Sequence, residues 1–321
     1  MDYIYSINIL DLKRMNKILT RADITGIDIE LTGSCNLKCP LCLSQFPNFK
    51  EQFHHHNLDI DFLINELKQF PNLKLVSLAG DASEPTLHPE LIKLLDWLKT
   101  QPQIKTELYT NASLHDEAWW EELNKHFCEN SIVYFTICGT NQMLHERYRV
   151  NSDLEKVLRN AKAFKRNNPF QNDYLTYIRF DYNKRDSISK KLETIFSEFS
   201  DADIIETDPI YERFNIAAEY GDVWSEQMFA FFYKRKLKKI MSKRNKDIVC
   251  YSLNKKYIRM DNFGNYSPCV CYKLFKPENF FKDDKFDYTE IYNNTPDFCI
   301  ECDRDMVTFL SKYDRDAFYM C

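Results

Sequence analysis

Cys35, Cys39 and Cys42 crowd into one segment, Leu31-Thr32-Gly33-Ser34-Cys35-Asn36-Leu37-Lys38-Cys39-Pro40-Leu41-Cys42. A CxxxCxxC loop lets three thiolates converge on one iron–sulfur cubane, and thiolates are the usual protein ligands of such clusters. Three ligands for four irons leave one iron open, which is what a catalytic metal site needs. Zinc is the alternative, and a structural zinc would want a fourth ligand; His54, His55 and His56 are the candidates close in sequence. A second set of thiols lies toward the C-terminus. Cys250, Gly264 and Cys269 fit a Cys-x(13)-Gly-x(4)-Cys spacing around a hairpin turn at Asn262–Asn265, and Cys299 and Cys302 form a CxxC pair. Four thiolates there would close a [4Fe–4S] site with no open iron, a zinc ribbon being the alternative. Cys271 is a spare that can replace one of the four, and Cys321 has no assigned part.

Loops of this kind need elements to hold them. From about residue 25 to 210, β-type runs alternate with longer amphipathic stretches. Strands are expected at Gly26–Leu31, Lys74–Ala79, Lys105–Thr110, Ser131–Ile137, Leu175–Phe180 and Ile204–Thr207. Helices are expected at Asp59–Phe70, Pro89–Thr100, Glu117–Phe127, Leu154–Arg166 and Ile188–Phe199, with Leu91, Leu94, Leu95 and Leu98 at helical spacing. Strict βα alternation predicts a parallel sheet, and six units predict an α/β partial (β/α)6 barrel of the TIM type, with its site at the C-terminal strand ends. Residues 225–248 read as a basic helical connector, and the chain beyond Cys250 as a small cysteine-rich domain. The domains expected are an N-terminal extension (1–24), the barrel (25–215), a helical linker (216–248) and the cysteine-rich domain (249–321).

With 44% hydrophobic residues the 321-residue chain can bury a sizeable core. A net charge of -5 offers no general case for nucleic-acid or membrane binding. No apolar run approaches the ~20 residues that span a bilayer, and the start of the chain lacks a signal-peptide pattern. A reducing cytoplasm is therefore expected, where 11 cysteines point to metal or redox chemistry more than to disulfides.

The cysteine spacing after a first β-strand resembles the radical S-adenosylmethionine (SAM) superfamily, over roughly residues 25–215. That resemblance implies that SAM chelates the open iron and is cleaved reductively to a 5′-deoxyadenosyl radical. Leu41 stands where many members have an aromatic residue. Gly80-Asp81-Ala82-Ser83-Glu84-Pro85 resembles the family's Gly-x-x-Gly-(Asp/Glu)-Pro element, with Ser83 for the second glycine. By resemblance, backbone groups and a carboxylate there bind the SAM ammonium; a capped strand-to-helix turn is the plainer reading. Tyr109-Thr110-Asn111 resembles a Thr-Asn element that the family often places near the cofactor. Thr136-Ile137-Cys138-Gly139 stands where relatives commonly read Ser-Ile-Asp-Gly, so Cys138 replaces an acid. Alternation puts Thr136 and Cys138 on the face opposite Val133, Phe135 and Ile137. Tyr148-Arg149-Val150-Asn151 resembles a Tyr-Arg-x-Asn element, while Arg179 could reach a carboxylate and Asn183 takes a polar position of relatives. Residues 248–305 resemble the auxiliary-cluster domain called Twitch, half of the larger SPASM domain.

The expected function is that of a radical SAM oxidoreductase-type enzyme with two [4Fe–4S] clusters. It would act on a small molecule, carbohydrate or peptide, draw electrons from a flavodoxin or ferredoxin, and achieve net oxidation with the auxiliary cluster's help. A radical epimerase with Cys138 or Cys271 returning hydrogen is the alternative. A metal-bearing scaffold binding RNA or protein through the basic 234–256 stretch is the non-enzymatic one.

Overall fold

The computed structural model of the protein describes residues 18–40, 42–45, 55–80, 83–166, 168–170, 172–180, 182–183, 204–207, 251–268 and 285–289. Its strands are β1 (Ile18–Leu19), β2 (Gly26–Ile29), β3 (Leu75–Leu78), β4 (Lys105–Thr110), β5 (Ser131–Ile137), β6 (Asp173–Ile178), β7 (Ile204–Thr207), β8 (Tyr257–Met260), β9 (Tyr266–Ser267) and β10 (Phe286–Asp287). Its α-helices are α1 (Ile60–Leu67), α2 (Leu91–Lys99), α3 (Glu117–Asn124), α4 (Gln142–Glu146), α5 (Leu154–Arg166) and α6 (Tyr251–Lys255).

One sheet runs β7-β6-β5-β4-β3-β2-β8-β9, and β1 pairs with β10 separately. Every neighbouring pair from β7 to β8 is parallel; β9 alone returns antiparallel on β8. The six expected strands are all present, in an α/β partial barrel. The hairpin β8–β9, which the sequence places in the C-terminal cysteine-rich domain, continues the barrel sheet beyond β2, with Ile27 opposite Ile258 and Asp28 opposite Arg259. The expected helix Ile188–Phe199 and the connector 225–248 lie outside the described residues.

Alternation divides each strand between two environments. Ile27, Ile29, Val76, Leu78, Leu108, Val133, Phe135, Ile137 and Leu175 join the main apolar core under the helices. Helix α5 covers it with Leu154, Val157, Leu158, Ala161 and Phe164, the spacing of a single helical face. Helix α1 starts at Asp59, whose side chain accepts from the Phe62 N–H at 2.9 Å, and it buries Ile60, Leu63 and Leu67. The other face of the sheet is polar. Arg259 of β8 donates to Asp28 at 2.6 Å and also to Glu30, while Lys105 and Glu107 pair at 2.6 Å. Tyr109 stacks on Tyr134, and Tyr134 on Tyr174, along one register row.

Candidate active site

The loop that follows β2 carries Cys35, Cys39 and Cys42, none of them in a disulfide. All three join an apolar nest with Leu37, Cys138, Tyr148 and Phe180. Each sulfur is met by its own donor. The Leu37 N–H and the Asn111 amide approach Cys35 Sγ at 3.5 and 3.9 Å; the Ser44 hydroxyl donates to Cys42 Sγ at 3.2 Å; Arg149 Nη1 stands 4.0 Å from Cys39 Sγ. Burial pushes the Cys35 thiol up to about 12 and the Cys42 thiol to about 11, and raises that of Cys39 as well. Metal binding must therefore expel these protons, and donors already aimed at sulfur suit the anionic thiolates that result. Among the described residues no three His, Cys, Asp or Glu side chains close on a point as ligands of one metal ion do. A cubane asks for something else, three thiols held apart, each for its own iron. The donor set fits the cluster.

Three neighbouring segments brace the loop. From β3, the turn through Gly80 brings Glu84, whose N–H donates to Ser34 O at 2.9 Å. Gly80 takes φ +57°, and a Cβ there would lie 2.7 Å from the Ser83 carbonyl oxygen, so glycine is required. Ser83 donates to the buried Glu30, and Asp81 lies outside the described residues. From β4, Asn111 donates to Asn36 Oδ1 at 3.1 Å, and Asn36 donates to Ser113 at 2.7 Å. From α4 and α5, the turn Tyr148–Asn151 clamps the loop where the Lys38 N–H donates to Val150 O at 3.1 Å. Asn151 sits there at φ 72°, a conformation that asparagine tolerates.

Glu84 is 2% exposed, and four donors already reach its carboxylate. Thr110 Oγ1 (2.7 Å), Thr86 Oγ1 (2.8 Å) and Thr86 N (3.2 Å) donate to Oε1, and Asn111 N (2.8 Å) to Oε2. It thus ties the turn to the end of β4, with Oε2 keeping the capacity to accept one further hydrogen bond. Thr136 lies opposite Thr176 on the polar face, and Arg179 follows the end of β6, half-buried. Cys138 departs from the core face that holds Val133, Phe135 and Ile137, and its thiol is fully enclosed beside Cys39 and Phe180. Its carbonyl accepts from Asn183 Nδ2 at 2.7 Å. Cys250, Cys269, Cys271, Cys299, Cys302 and Cys321 lie outside the described residues. The donors Asn36, Ser44 and Arg149 carry no signature of their own. Asn36 and Arg149 sit in segments that the sequence singles out, and Ser44 lies just beyond one.

Residues 29–179 match the family model of the radical SAM superfamily. This stretch is a radical SAM domain. Over 114 residues it is 26% identical to a tungsten-containing aldehyde ferredoxin oxidoreductase cofactor-modifying protein of Pyrococcus furiosus. The match covers 34% of this chain and spans only 29% of that relative's length. The solved structure of native anSMEcpe with bound AdoMet has a TM-score of 0.50 at 19% identity, over 81% of each chain, which shows the fold alone. BtrN in complex with AdoMet and 2-DOIA covers 90% of this chain and 86% of its own at 10% identity, with a TM-score of 0.42, too distant to carry an argument. Among the described residues no helix is long and apolar enough to cross a membrane.

Proposed function

We propose that Cys35, Cys39 and Cys42 are the ligands of the SAM-cleaving cluster, and that the enzyme oxidises a small-molecule, carbohydrate or peptide substrate. The carrying observation is that three unbridged thiols, Cys39 buried and Cys35 and Cys42 half-buried, share one apolar nest in the loop after β2, each with a separate N–H or O–H donor. When bound, the cluster supplies the electron that cleaves SAM to methionine and a hydrogen-abstracting 5′-deoxyadenosyl radical. The protein's own residues shape the place where this happens. Asn111, Ser44 and Arg149 orient the sulfurs, the Gly80–Glu84 turn and Thr136 border the SAM side, and Leu37, Tyr148 and Phe180 exclude water from the thiols.

An auxiliary [4Fe–4S] cluster on Cys250, Cys269, Cys299 and Cys302 would accept the substrate electron. Its support is the spacing of those cysteines together with the place of β8–β9, the hairpin between Cys250 and Cys269. That hairpin is anchored beside the first loop, where Glu30 N donates to Met260 O and Asn262 donates to His56 O, both at 3.0 Å. The domain divisions at 24, 215 and 248 belong to the same reading, as does a flavodoxin- or ferredoxin-type electron donor. Complete enclosure of Cys138 favours oxidation over hydrogen return, because a hydrogen donor must touch the substrate radical.

Anaerobic reconstitution tests the assignment of ligands. The wild type should hold about eight irons per chain, and a Cys35/Cys39/Cys42 triple alanine variant about four. Full iron content in the triple variant, or zinc alone in the wild type, would sink it.

A further inference from the structure

We infer that Arg149 supplies the positive charge that sets the reduction potential of the cluster at Cys35, Cys39 and Cys42, an inference that rests on that ligand assignment. Arginine stays charged under all protein conditions, and a buried cation needs a counter-charge. Arg149 lacks the usual one, since among the described residues it pairs with no carboxylate, and its Nε is buried without a hydrogen-bond partner. Sulfur surrounds it instead. Nη1 stands 4.0 Å from Cys39 Sγ, and the guanidinium also hydrogen-bonds Cys138. The Tyr148 ring lies beneath it, 6.0 Å from Arg149 Cζ to the centroid.

The backbone holds this arrangement rigidly. The Arg149 N–H donates to His145 O at 2.9 Å, and the next residue's carbonyl takes the Lys38 N–H at 3.1 Å, one position before Cys39. The main chain that carries the cation is therefore fastened to the cluster loop. A cluster bound to three thiolates gains one negative charge when it takes an electron from an external flavodoxin- or ferredoxin-class donor; no bond forms or breaks and no proton moves. A fixed cation in a poorly solvated nest stabilises the more negative, reduced form. Arg149 is in this sense a positioning and charge-setting residue that need never touch the substrate.

Redox titration followed by electron paramagnetic resonance tests this on reconstituted full-length wild type, Arg149→Lys, Arg149→Gln and Arg149→Met, without SAM. At one fixed applied potential, the ratio of reduced to oxidised cluster should fall at least tenfold in the Gln and Met variants, a shift of about 59 mV for a one-electron couple. The Lys variant should stay within about threefold of wild type, because lysine keeps the charge and loses only the fork. Failure of both neutral variants to load iron while Lys loads it also supports the inference, since charge is what they lack. Neutral variants with the wild-type ratio overturn it. So does failure of all three variants to load, which would make shape the contribution of Arg149. A wild type with no cluster signal would instead refute the ligand assignment itself.

Discussion

Replacing Arg259 by methionine should cost the fold about 3–5 kcal/mol, the loss expected when one partner of a buried ion pair is removed and its charges are left behind. Arg259 is 4% exposed and reaches two carboxylates, Asp28 of the neighbouring strand, itself 6% exposed, at 2.6 Å, and Glu30 just past that strand's end, 2% exposed. At an effective dielectric near 20, opposite charges about 4 Å apart attract by roughly 4 kcal/mol, and methionine returns little of that through packing. Among the described residues Asp28 has one oxygen already without a hydrogen bond, so it has no spare partner there to fall back on. Urea denaturation of the anaerobic protein measures the loss. An Arg259→Met, Asp28→Asn, Glu30→Gln variant should recover at least about 2 kcal/mol, because it removes the stranded charges along with the cation. A loss below about 1 kcal/mol in the single variant, or no recovery in the triple one, would refute the view that this ion network fastens β8 to β2.

Three other outcomes follow from single residues. Ser77 Oγ is wholly buried without a hydrogen-bond partner among the described residues, so Ser77→Ala should leave stability unchanged or raise it by up to about 1 kcal/mol, and a loss above that would show a hidden partner. Gly80→Ala should cost about 1–2 kcal/mol from its left-handed φ alone and weaken SAM binding as the turn shifts; wild-type affinity would separate the turn from the cofactor. Burial, then the Arg149 charge, pushes the His145 ring from 6.5 down to about 3, while its Nδ1 accepts from the Cys138 N–H and its Nε2 faces Ser152 Oγ at 2.9 Å. Between those values the unfolded chain binds a proton that the native state lacks, so stability is lost as pH falls below about 6.5, by at most about 1.4 kcal/mol per pH unit. His145→Gln should flatten that slope between pH 7 and 5, and identical slopes would exclude His145 as its source.

The βα framework was legible because each unit is local. Lys105–Thr110, Ser131–Ile137 and Ile204–Thr207 are strands at the expected bounds, and Leu154–Arg166 is a helix at the expected bounds. The Leu175–Phe180 strand instead runs Asp173–Ile178, because Asn183 captures the chain beyond it: the Phe180 N–H donates to Asn183 Oδ1 at 2.7 Å. Helix α4, Gln142–Glu146, was not foreseen, since five residues leave no periodicity to read; its cap is Asn141, which accepts from Leu144 N at 3.0 Å. Parallel pairing of β8 with β2 joins residues 26–29 to 257–260, a contact that no local pattern encodes. The same holds in the site. Cysteine spacing announces the cluster loop, but two of the donors to its sulfurs, Asn111 and Arg149, are distant in sequence. Glu84 reads as a turn carboxylate, and only the fold reveals that Thr86, Thr110 and Asn111 fill it.

Formation of 5′-deoxyadenosine tests the central claim most directly. Reconstituted wild-type enzyme, reduced anaerobically and given SAM, should release 5′-deoxyadenosine and methionine in equal amounts even without its substrate, and single Cys35→Ala, Cys39→Ala and Cys42→Ala variants should release none. Undiminished release from any one of these variants, or none from a wild type that holds its full iron, would contradict the account.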